Sequence, residues 1–158
     1  MAEIKVEIEG LDELQRKLNS PFAAKPARNF LNRGTLLIQR ASRDNVHSDR
    51  GRLVDSIDRE IDTALLPLWG KVGSDLDYAP YVEFGTGPHM PPVAPLEAWA
   101  ARHGMPGRGY AIALGILHHG TEGQRFLRGG VEDAQSGVNA LVPVFAKELE
   151  AAATGGGD

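Results

Sequence analysis

The chain has 158 residues, 42% of them hydrophobic and 24% charged, with a net charge of −4 and no cysteine. That length suits one domain with a modest core, and the composition is that of an ordinary globular protein. The charge argues against a general nucleic-acid binder, and without cysteine there is no disulfide, thiolate nucleophile or Cys-held metal.

The first thirty residues show no basic-then-apolar leader. No uncharged apolar run approaches the roughly 18 residues of a membrane span. The expectation is a protein made and kept in a cytoplasm, with no membrane partner.

Residues 3–9, EIKVEIE, alternate strictly, with Ile4, Val6 and Ile8 on one face; this predicts a half-buried strand. LDELQRKL follows with Leu11, Leu14 and Leu18 at helical spacing, and Pro21 is well placed for a helix start. The segment 22–46 is the longest helix candidate. Ala23, Ala27, Phe30, Leu31, Gly34, Leu37, Ile38 and Ala41 share one arc of it. Lys25, Arg28, Arg33, Arg40 and Arg43 share the opposite arc, with Leu36 as an apolar exception.

HSDRG at 47–51 is a turn. Residues 53–64 alternate loosely and read as a strand, and LWGKVGS at 68–74 returns as its hairpin partner. Residues 78–84 are a candidate fourth strand. The four prolines of 88–95 predict extended loop. LEAWAARHG predicts a short helix ending at Gly104, and YAIALGILHHG a second ending at Gly120. The last helix is expected from near Gly130, kinked or divided at Pro143.

The expected fold is α+β, with a small, mostly antiparallel sheet packed against the long helix and the C-terminal helix. Residues 1–150 read as one domain with a Pro/Gly-rich helical insertion at about 88–119. Residues 151–158 read as a flexible tail.

Catalytic sets are weak. The five histidines are His47, His89, His103, His118 and His119, and no pair has the i,i+4 spacing of H-E-x-x-H. A site assembled from His89, His103 and a carboxylate stands against solvated or capping histidines. His118 and His119 suit the negative end of a helix. There is no G-x-S-x-G elbow, and FGTG lacks the ending of a phosphate loop. Asp58 and Glu60 read as solvated charge on a wet strand face. The reading is a non-enzyme with no cofactor and no metal.

The stretch YAPYVEFGTG, residues 78–87, is different. Tyr78, Tyr81 and Phe84 are bulky anchors whose hydroxyls, where present, can stay wet. Gly85 and Gly87 let the backbone turn or a partner approach, and Gly85 is expected at positive φ or pressed against another segment. Glu83 is placed to accept backbone amides at that turn or to pair with an arginine. Thr86 lies between the glycines. The plainer reading makes the aromatics core and the glycines a tight turn; both can hold.

Charge is lopsided. From Arg16 to Arg52 the local sum is +7, which leaves −11 for the rest. The basic arc is a solvated face, a surface that docks on an acidic face of another copy or neighbour, or a nucleic-acid contact. No aromatic residues interleave the arginines to stack bases.

An N-terminal strand, GLDEL, a long helix, GRLVDSI at 51–57, YAPYVEFGTG at 78–87, RFL at 125–127 and a final helix together resemble a phage neck family. Its members are head–tail joining or tail-completion proteins of long-tailed phages, similar to the minor tail protein Z group. The resemblance covers about 3–87 and 120–150. It departs from the family's pattern in lacking a proline before GRL, in carrying Arg125-Phe126 and then Gly129-Gly130 where Pro-Phe and Pro-Ala are common, and in the longer insertion with Trp99.

The resemblance implies a structural virion part at the head–tail junction, met in the host cytoplasm during assembly. Its implied partners are other copies in a ring, with six as the number to test, and the head-closure and tail-tube proteins. DNA would pass through the ring without sequence-specific binding. Competing readings are a nucleic-acid-binding accessory protein using the basic helix and a small metal-dependent hydrolase.

Overall fold

The computed structural model describes residues 23–47, 51–62 and 68–154. The strand expected at 3–9, the helix at 11–18 and residues 155–158 lie outside the described residues.

The fold is α+β, as expected: among the described residues, two long helices with two small antiparallel two-stranded sheets. The long basic helix is α1, Ala24–Asp44. The C-terminal helix, Phe126–Thr154 and here α6, runs antiparallel to it. Phe30 meets Phe145 with ring centroids 5.1 Å apart, Asn29 donates to Glu148 at 3.0 Å, and Asn45 donates to Asp133 at 2.8 Å at the other end. At Gly130 the helices come so close that a Cβ would sit 2.6 Å from the Ser42 Cα. The glycine pair 129–130 therefore has a packing role.

A short helix α2, Arg52–Ser56, follows Gly51, which sits in the left-handed region at φ 74°. Strand β1, Asp58–Asp62, pairs with β2, Trp69–Gly73, in the register Asp58 to Gly73 through Asp62 to Trp69. This hairpin lies against α1: Arg59 donates to Asn32 at 3.0 Å, and a Cβ on Gly70 would meet Thr35. The strand expected over 53–64 thus starts only at Asp58. Leu53 and Ile57 are both buried, and their i,i+4 spacing is that of one helical face.

The expected fourth strand over 78–84 is a helix, α3, Ala79–Phe84. Pro80 stands in its first turn, where no amide partner is lost, and Gly85 stops it. Gly85–Thr86 forms β3, which pairs with Thr121–Glu122, β4. Between the two strands rises a pair of helices, α4, Val93–Arg102, and α5, Gly109–His119. Helix α4 begins within the proline stretch expected to be extended. Pro95 is tolerated because the amides of a first turn have no intrahelical partner.

Helix α6 starts at Phe126, earlier than expected, and continues through Thr154, into the expected tail. It also passes Pro143 as one element; Asn139, whose carbonyl loses its donor, is exposed to water. The buried cluster is Leu53, Ile57, Ala79 and Phe126, with Val46, Val72, Leu76, Val82 and Leu127 packed on it.

Candidate assembly site

Helix α3 has two unlike sides. Ala79 and Glu83, four residues apart, point inward and are buried; Tyr81 and Phe84 point outward, 62% and 81% exposed. The sequence expectation that these aromatics are anchors is compatible with that exposure. The plainer expectation that they are core is overturned for Tyr81 and Phe84, and Tyr78 is also exposed.

Glu83 lies at the N-terminus of α6, 44 residues away in sequence. Its carboxylate accepts the Leu127 amide at 2.8 Å and the Arg128 amide at 3.1 Å. The first amides of a helix have no internal partner, and a carboxylate there also meets the positive end of the helix dipole. The backbone adds to the tie: Gln124 donates to the Val82 carbonyl at 2.7 Å and Arg125 to the Glu83 carbonyl at 3.1 Å. Arg125 itself takes φ 53° at this junction. Glu83 is an amide acceptor, but the amides are those of a distant helix end and not, as the sequence led one to expect, those of its own turn.

Gly85 has φ 78°, as expected, and a Cβ there would run into the Thr121 carbonyl oxygen. Gly120 opposite has φ 72°, and its Cβ would run into the Thr86 carbonyl. The two glycines let β3 and β4 approach where the paired helices leave the body. Thr86 joins in through its hydroxyl, 2.9 Å from that of Thr121. Gly87 differs: a Cβ there would meet open space.

The paired helices α4 and α5 form an arm on this narrow root. The Glu97 carboxylate accepts the amides of Gly107 and Gly109 across the loop, the latter at 2.7 Å. Trp99 stacks on His103 with ring centroids 4.2 Å apart. His89, at the root, donates its backbone amide to the Ile116 carbonyl at 3.3 Å. His118 and His119 occupy the last turn of α5, as expected. Among the described residues no three His, Cys, Asp or Glu side chains are grouped to hold a metal ion.

The basic arc of α1 is exposed at Lys25, Arg28, Arg33 and Arg40. Arg33 pairs with Glu148 at 3.2 Å. Arg43 departs from the expectation: it is half-buried, and its guanidinium donates to the Ile57 carbonyl at 2.7 Å, beside the Gln39 amide at 2.9 Å. It belongs to the fold because Ile57, where α2 gives way to β1, needs donors for its carbonyl. Across the hairpin an open cleft of about 630 Å³ is lined by Asp55, Asp58, Glu60 and Asp75, with Arg59 and Lys71. One side of the body is therefore basic and another predominantly acidic.

No family model, curated protein or solved structure matches the chain.

Proposed function

We propose that the chain is a structural part of the head–tail junction of a long-tailed phage, one subunit of a neck or tail-completion ring. The observation that carries this reading is the construction of residues 78–87. A buried carboxylate, two backbone ties and a positive-φ glycine hold one short helix so that two large aromatics face outward. Exposed aromatics on a rigid, well-tied support suit contact with another protein better than catalysis.

The charge distribution adds support. A subunit of a cyclic ring uses two different faces, one to give and one to receive. The arc of Lys25, Arg28 and Arg40 and the cleft of Asp55, Asp58, Glu60 and Asp75 are of opposite sign. Such complementarity sets register and partner choice more than affinity. The resemblance to the minor tail protein Z group points the same way.

The test is a stop codon in this gene in the phage that carries it. Filled heads and unattached tails, seen by electron microscopy and rescued by the purified protein, are the expected outcome. Normal virions from the stop-codon phage would overturn the reading. Arg28→Glu with Arg40→Glu then asks whether the basic arc is used: the double variant should melt like wild type yet fail to rescue.

A further inference from the structure

The arm has an unusual surface. Between Gly85 and Thr121 the chain has a single acid, Glu97, although the whole chain has 21. That acid is engaged with the Gly107 and Gly109 amides. Helix α5, GYAIALGILHH, contains no Asp, Glu, Lys or Arg at all. Gly109 and Ala113 are buried in the arm, yet Tyr110 is 59% exposed and Leu117, seven residues on, is exposed beside it on the same helical face. A helix apolar on most of its circumference is normally covered. This one is covered on one side only. The one formal charge directly flanking the helix is cationic, Arg108 before it.

The body offers the counterpart. Tyr78, Tyr81 and Phe84 are exposed, and Asp75 and Asp77, both exposed, directly precede them. Beside Tyr81 lies an open cleft of about 710 Å³, formed by residues 85–89 at the arm's root. The three aromatics present roughly 350 Å² if a full aromatic side chain buries about 200 Å². That is below the roughly 800 Å² each partner gives to a stable pairwise interface. It suits the centre of a weak contact that a closed ring reinforces.

We infer that the occupant of the Tyr81–Phe84 face is the α5 arm of a second copy of this chain. Apolar centre meets apolar centre, and Arg108 at the start of the arm's second helix meets Asp75 and Asp77. The contact is head-to-tail, because the arm and the face that receives it are different surfaces. This deepens the ring reading above. Its test needs no phage, so either inference can fail while the other stands.

The experiment uses the 158-residue chain, which has no cysteine. Phe84→Cys and Tyr110→Cys are made separately, mixed at high concentration and oxidised, with each alone as control. The expected product is a disulfide between the two variants, above either homodimer. Sedimentation of the native chain should show concentration-dependent association. Phe84→Ser and Tyr110→Ser should each weaken it at least about tenfold, with unchanged melting. Three results would each overturn the inference: no association, association unaffected by either serine variant, or Phe84–Phe84 homodimers as the main product.

Discussion

The body and the arm are held together in different ways. In the body, contacts join residues far apart in sequence: Asn29 with Glu148, Asn45 with Asp133, and Glu83 with the first turn of α6. In the arm, the ties are local. Glu97 reaches ten and twelve residues along, and Trp99 and His103 are one helical turn apart. Both expose apolar side chains: the body Tyr81 and Phe84 above a core that includes Phe126 and Ile57, the arm Met90, Met105, Tyr110 and Leu117. The lesson is a division of labour. Long-range polar ties make a rigid base with one apolar face, and a locally stabilised hairpin carries a second.

The largest expected effect falls on the junction between the two. Gly85→Val places a β-branched side chain at φ 78° and against the Thr121 carbonyl. The cost is about 3–5 kcal/mol from backbone strain and overpacking together. Thr86→Val, one residue on, loses a hydroxyl contact and costs about 1 kcal/mol. Urea titrations of the two variants compare them directly. Equal midpoints would remove the turn from the account of stability.

Next comes the inner face of α3. Glu83→Ala leaves the Leu127 and Arg128 amides without their acceptor and costs about 2–4 kcal/mol. Glu83→Gln keeps one acceptor but turns an amide group toward the other donor, so it should fall between wild type and alanine. Thermal melts monitored by helix signal provide the ranking. A Glu83→Ala melt within error of wild type would mean that α6 is capped in another way.

Glu97→Ala sharpens the contrast. It removes the tie across the arm's loop and should cost about 1–2 kcal/mol, felt within the arm. Hydrogen exchange should quicken in α4 and α5 and stay as it was in α1 and α6. Equal loss of protection in all four helices would make arm and body one cooperative unit.

The smallest effect is expected from the exposed faces. Arg40→Glu and Phe84→Ser should each change stability by no more than about 0.5 kcal/mol, because neither side chain is buried. A drop of several degrees in melting temperature for either would show that the side chain supports the fold.

Some of this was written in short windows of sequence. The 21 residues of α1 follow from one apolar and one basic arc. The stop of α5 follows from Gly120, whereas the positive φ expected of Gly85 at the end of a strand occurs at the end of a helix. The pattern is ambiguous where two periods overlap. Leu53 and Ile57 fit a loose alternation and also one helical face, and YAPYVEF could be strand or helix until Pro80 is seen as a first-turn residue and Gly85 as a stop. Burial decided both, because only the position of Phe126 determines which side of each segment is inside.

The partners of Glu83 and Arg43 lie beyond any such window. Sequence identifies a carboxylate able to accept amides and a guanidinium able to donate. It does not say that the amides are those of Leu127 and Arg128, or that the carbonyl is that of Ile57. Those pairings exist because α6 packs back along α1 and brings its open N-terminus against α3. Local propensity depends on neighbours in the chain, whereas an unpaired helix end is satisfied by whatever the folded chain places beside it.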